Sequence, residues 1–144
     1  MKKLFDYLVV IFLVLIMILA ASCTTPTEDD FFGEPTLELD GRLPMDSNGY
    51  YHLVLNPNTN QTIHTIAGNV SNIYEPTKIE WNSNLYWEYN GESVPTINSS
   101  SYVQKDGTIN TVIAPIFSMK NDTLVVFAKV NEWNIIQSIS IVLE

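Results

Sequence analysis

From Glu34 onward apolar and polar positions alternate in short runs, and hardly any stretch repeats with a helical period. Thr36-Leu37-Glu38-Leu39-Asp40 alternates strictly, which predicts a strand with Leu37 and Leu39 on one face. Gly49 to Leu55 predicts a second strand, after the turn Asp46-Ser47-Asn48-Gly49, whose Asn-Gly pair supplies the positive φ of a tight hairpin. Gln61 to Val70 follows through the loop Asn56-Pro57-Asn58-Thr59-Asn60, and Thr77 to Ser83 follows Glu75-Pro76. In the last third, Asp106-Gly107 marks another hairpin-type turn before a strand from Thr108 to Ile116. The Lys120-Asn121-Asp122 turn then leads into Thr123 to Val130. Finally Ile135, Gln137, Ile139, Ile141 and Leu143 share one face and Ser138 and Ser140 the other, the alternation of a strand that is dry on one side and wet on the other. Strands at this spacing, rich in Val, Ile, Thr and Tyr, predict an all-β antiparallel sandwich or barrel.

The first 22 residues break this pattern. Lys2 and Lys3 precede an apolar core from Leu8 to Ala21 and then small residues, the three parts of an export signal. The core is 14 residues long, whereas a helix that crosses the hydrocarbon layer needs about 20 apolar residues. Residues 1–22 are therefore expected to be a cleaved signal peptide, 23–33 an acidic flexible tether, and 34–144 a single domain. Thr24-Thr25-Pro26-Thr27-Glu28-Asp29-Asp30 has no apolar side chain to bury, as suits a solvated tether.

Leu19-Ala20-Ala21-Ser22-Cys23 resembles a bacterial lipobox, with Ala20 where that motif most often has Leu. The resemblance implies acylation of Cys23 and cleavage before it, and so a membrane partner reached through a lipid anchor. It implies a place in the cell envelope, at the outer membrane, either periplasmic or surface-exposed. The acidic run after Cys23 is similar to surface-export signals of Bacteroidetes-type lipoproteins. Cysteine count agrees: Cys23 stands alone in the chain and has no partner for an internal disulfide. One acyl chain holds only marginally, at about 0.8 kcal/mol per buried methylene, so the two or three chains of such lipoproteins are what would make the attachment durable.

Charge narrows the partners. Cleavage before Cys23 removes two of the seven basic residues and one of the sixteen acidic ones, leaving a formal charge of −10 on 122 residues. Nucleic acid is excluded as an expected partner, because its binding depends on Lys and Arg neutralising phosphates. A basic protein is electrostatically easier.

"IAGNVSNIYEPTKIEW" resembles the second and third strands of a bacterial immunoglobulin-like domain, and "DGTINTVIAPIFSMKNDTLVVFAKV" its fifth and sixth. The resemblance runs from Gln61 to Leu143 and implies an immunoglobulin-like β-sandwich. The cysteine pair of antibody domains is absent, so apolar packing alone must hold the sheets. "NGYYHL", "QTIHTIAG", "IEWNSNLYW" and "VPTINSSSY" together look like a family of small Bacteroidetes lipoproteins without an assigned function, which transfers no catalytic residues.

Two places could carry chemistry. His52 and His64 lie six residues either side of Asn58, so one hairpin centred there would oppose them at about 5 Å between β-carbons, close enough to share zinc or copper. A tetrahedral site needs two further ligands, and none follows at a matching spacing, so two ordinary strand histidines are the expected outcome and no metal or cofactor is assigned.

The stretch Trp81 to Asn90, taken as one strand, puts Trp81, Leu85, Trp87 and Tyr89 on one face as core. Asn82, Asn84, Tyr86 and Glu88 then form the other face, an aromatic plate among amides and a carboxylate that suits a sugar ring.

No Gly-x-Ser-x-Gly turn, His-Glu-x-x-His helix or phosphate-cradling glycine loop occurs. Asp122-Thr123-Leu124 resembles the O-glycosylation signal of exported proteins in these bacteria, which would modify Thr123. The expectation is a lipid-anchored, non-enzymatic binding or accessory module for glycan or protein. The alternative is an acidic inhibitor or immunity lipoprotein that traps a basic toxin or hydrolase.

Overall fold

The structure, a computed structural model of the chain, describes residues 33–73 and 76–144. The export signal, Cys23 and the tether up to residue 32 lie outside the described residues. Among the described residues, ten strands and two single 3-10 turns make up the regular structure, and no helix is long and apolar enough to cross a membrane.

The strands are β1 (Thr36–Asp40), β2 (Tyr51–Leu53), β3 (His64–Ser71), β4 (Lys78–Ser83), β5 (Tyr86–Tyr89), β6 (Glu92–Pro95), β7 (Ser100–Tyr102), β8 (Thr108–Ile113), β9 (Thr123–Val130) and β10 (Ile135–Leu143). They form a three-stranded sheet β1-β3-β8, a five-stranded sheet β2-β10-β9-β4-β7 and a two-stranded ribbon β5-β6. The described residues are mostly strand and form an all-β fold, as the alternation predicts.

Period-two burial explains how the two larger sheets are held. β4 alternates exposed and buried along its whole length, and every second residue of β9 from Leu124 to Val130 is buried. Their inward side chains, Ile79, Trp81, Leu124, Val126, Ala128 and Val130, share one apolar core with Leu37 of β1, Ile66 and Val70 of β3, and Ile109 and Ile113 of β8. Full burial of each large aliphatic side chain contributes about 1.5–3 kcal/mol, and here that apolar packing does the work with no disulfide in the described residues.

Among the described strands, antiparallel pairing has one exception. The Asp46–Gly49 turn forms, with the Gly49 N–H on the Asp46 carbonyl at 3.1 Å, and it returns the chain only as far as a single bridge between Met45 and Tyr51. The other edge of β2 pairs in parallel with β10, Tyr51 beside Ile141 and Leu53 beside Leu143. The pairing continues past the strand ends, where the Leu55 N–H meets the Glu144 carbonyl and the Glu144 N–H meets the Leu53 carbonyl.

The stretch from Trp81 to Asn90 is not one strand. β4 ends at Ser83, and β5 belongs to a separate ribbon whose turn is Asn90-Gly91, with φ of 52° and 81°. Positive φ at both central positions is what a two-residue hairpin turn of matching twist requires, so the Asn-Gly pair redirects the chain into β6. The base of the ribbon is fixed inside the protein, where the Ser83 and Thr96 hydroxyls hydrogen-bond each other at 2.9 Å and lie 3.2 Å and 3.0 Å from the Leu85 carbonyl, which accepts from the hydroxyl whose proton is not used between them. Trp81 is buried and Leu85 and Trp87 pack against the core, but Tyr89 is 59% exposed, a correction to the expectation that all four are core.

Candidate functional site

The outward face of the five-stranded sheet is set by the register of three strands. Asn82 of β4 stands opposite Phe127 of β9, and Glu80 opposite Lys129. β10 adds Ser138 beside Phe127 and Ile136 beside Lys129, and β7 adds Ser100 beside Glu80. Because alternate residues share a face, two rows run across the sheet, Ser138-Phe127-Asn82 and Ile136-Lys129-Glu80-Ser100.

Phe127 and Ile136 remain 38% and 55% exposed. Together with Lys78, Glu80, Asn82 and Lys129 they line an open groove of about 510 Å³. An exposed aromatic ring among amide, ammonium, carboxylate and hydroxyl groups has the make-up of a recognition surface, apolar in the middle with polar groups at its rim.

Four residues of the stretch Trp81–Asn90 were expected to form one face, and the structure divides them. Asn82 and Tyr86 come together: the Tyr86 hydroxyl donates to Asn82 Oδ1 at 2.9 Å, across the break between β4 and β5. Asn84 is engaged elsewhere. Its Oδ1 accepts the Val125 N–H at 2.7 Å and its Nδ2 donates to the Thr123 carbonyl at 3.0 Å, so its amide continues the pairing of β9 past the end of β4 and is held against that backbone. Glu88 is exposed on the ribbon, where it pairs with Ser93, and so belongs to a different sheet from Asn82.

Phe127, Lys129, Glu80 and Ile136 lie outside the expected recognition face of Asn82, Asn84, Tyr86 and Glu88. Phe127 and Lys129 occupy the polar phase of β9, between the apolar residues that mark its core face. An aromatic in that phase was the available signal.

The two histidines do not meet across a hairpin. β2 and β3 lie in different sheets, because β2 pairs with β10 and β3 with β1 and β8. His64 is held through Nε2 to the Gly41 carbonyl at 2.7 Å. His52 is set between two carboxylates, with Nδ1 2.7 Å from Glu144 Oε1 and Nε2 3.5 Å from Asp46 Oδ2. The hydrogen bond to Glu144 pushes the imidazole pKa above its ordinary 6.5, and Asp46 adds to the same effect. The Asp46 carboxyl is held below its ordinary 3.8, mainly by the Tyr50 N–H and then by the Asn48 N–H and His52. Among the described residues no group of three or more His, Cys, Asp or Glu is arranged to hold a metal ion.

Thr123 is exposed at the start of β9, opposite Val142. Cys23 lies outside the described residues. No family model, curated protein or solved structure matches this chain.

Proposed function

We propose that the protein is a lipid-anchored, non-enzymatic glycan-binding module of the cell envelope, attached through Cys23, whose recognition surface is the outward face of β4, β9 and β10. The observation that carries this reading is Phe127, 38% exposed on the polar phase of its strand and opposite Asn82, whose amide is braced by the Tyr86 hydroxyl. A ring of this kind stacks on a sugar while the flanking amide and hydroxyls take the sugar's hydroxyl groups.

The domain is read as an immunoglobulin-like sandwich. Strand orders β1-β3-β8 and β10-β9-β4 follow the A-B-E and G-F-C orders of such domains, and Trp81 is buried on the strand that takes the place of C. β2 and β7 are then additional edge strands of the second sheet.

Two experiments test the reading. A glycan array probed with the full chain is expected to give binding that Phe127→Ala abolishes and Asn84→Ala leaves in place; binding indifferent to Phe127, or none, would refute it. Palmitate labelling in a bacterial host is expected to mark the protein and to disappear in Cys23→Ala, together with its membrane association.

A further inference from the structure

The charge of the groove points to the class of sugar. Beyond Lys2 and Lys3 the chain has five basic residues against a whole-chain formal charge of −9. Two of the five, Lys78 and Lys129, line the groove, and its one acidic residue is Glu80. The groove therefore carries a formal +1 on a strongly acidic chain.

The two lysines are not equivalent. Lys78 Nζ lies 3.9 Å from Glu80 Oε1, with both side chains about half exposed, a weak solvent-screened pair. Lys129 is half-buried between Ile136 and Glu80 in the cross-strand row, and among the described residues no carboxylate lies within ion-pairing distance of it. The ammonium of such a lysine, beside an exposed aromatic ring, can meet an anion with a charge-assisted hydrogen bond while the ring takes the apolar face of the same ligand.

We infer that the ligand of this groove is an anionic polysaccharide, bearing carboxylate or sulfate groups, with Lys129 facing the charge and Phe127 stacked on a ring. The inference rests on the glycan reading above and specifies it. The row Ile136-Lys129-Glu80-Ser100 crosses four strands, about 14 Å at the usual inter-strand spacing, which favours an extended chain over a single sugar. The acidic remainder of the protein repels polyanions in general, which confines binding to this face and disfavours nucleic acid. Glu80 moderates affinity, because it lies between the lysines.

The test is biolayer interferometry of the full chain in detergent micelles against four immobilised polymers. Polygalacturonate and carboxyl-reduced polygalacturonate form one pair, and dextran sulfate and dextran the other. Binding is expected to one or both charged polymers, at least about tenfold tighter than to the neutral counterpart, the size of one charge-assisted hydrogen bond. Which pair shows the difference identifies carboxylate or sulfate. Lys129→Gln is expected to remove that preference, Glu80→Gln to strengthen binding, and Lys105→Gln to change nothing.

Equal binding to the neutral polymers, lost in Phe127→Ala and unaffected in Lys129→Gln, would overturn the anionic inference and leave the glycan reading standing. Absence of binding to every polymer, together with an array that is also blank, would overturn both. A concentration-dependent dimer in sedimentation velocity that Phe127→Ala dissolves would assign the face to a second copy instead. Unchanged far-UV circular dichroism and melting temperature establish that each variant is folded.

Discussion

Asn84 binds the backbone of Val125 as a neighbouring strand would: its Oδ1 accepts the Val125 N–H at 2.7 Å, and its own N–H reaches the Val125 carbonyl at 3.3 Å. With Nδ2 on the Thr123 carbonyl, a single residue extends the pairing of β9 past the end of β4. Asn84→Ala is expected to lower stability by about 1–3 kcal/mol, the sum of two modest hydrogen bonds, while glycan binding through Phe127 is retained. Urea denaturation beside the array result checks both halves. A stable variant that no longer binds would return Asn84 to the recognition surface.

His52 ties β2 to Glu144 and to the Asp46 turn, and its raised pKa has a definite consequence for stability. A group whose folded pKa lies above its unfolded value stabilises fully below the unfolded value, here 6.5, and that contribution is lost as pH rises through the folded value. Asp46 works in the opposite sense: its lowered pKa stabilises above 3.8 and that contribution is lost as pH falls through the folded value. Proton NMR titration is expected to place the His52 imidazole above 6.5. His52→Gln is expected to lower the melting temperature more at about pH 5.5 than at about pH 9. An equal effect at both would show that the carboxylates do not bias the imidazole. Both groups face solvent, so added salt weakens the effect.

Gly91 and Gly107 have the same φ of 81° and differ in what surrounds them. A β-carbon at Gly91 would meet nothing within 4 Å, whereas at Gly107 it would lie 2.6 Å from the Val70 carbonyl oxygen. Gly91→Ala therefore bears only the positive-φ cost, about 1–2 kcal/mol. Gly107→Ala must also move β3 backbone and is expected to cost more, by a margin that thermal unfolding of the two variants resolves.

Thr96 is fully buried, with its hydroxyl on the Leu85 carbonyl at 3.0 Å and 2.9 Å from the Ser83 hydroxyl. Thr96→Val keeps the shape and withdraws a partner from buried polar groups, for an expected loss of about 1–3 kcal/mol. Because this cluster fixes the base of the β5-β6 ribbon, Tyr89 fluorescence and proteolysis near Asn90 are expected to respond before the rest of the domain.

Much of the fold was legible because period-two alternation is a local signal. β1, β4, β9 and β10 emerge from it with nearly correct ends, and all-β follows from their number. Partner choice was not legible in the same way. The equal spacing of His52 and His64 about Asn58 suggests a hairpin, yet β2 finds a better edge on β10, with a closing contact between His52 and Glu144, 92 residues apart in sequence. Asn90-Gly91 was a readable turn signal, hidden because the aromatic run before it alternates as one strand would. The candidate site was half legible for a related reason: Asn82 and Tyr86 stand in a conspicuous stretch, whereas Phe127, Lys129 and Ile136 join them only through cross-strand register.

The most direct test of the outer face of β4, β9 and β10 as the recognition surface is hydroxyl-radical footprinting of the full chain, with and without the best-binding polysaccharide of the array. Protection is expected at Phe127 and Ile136, while the exposed Met45 and Tyr89, outside the groove, keep their reactivity. Unchanged Phe127 with protection at Tyr89, or on the β1-β3-β8 sheet, would contradict the assignment and move the surface elsewhere.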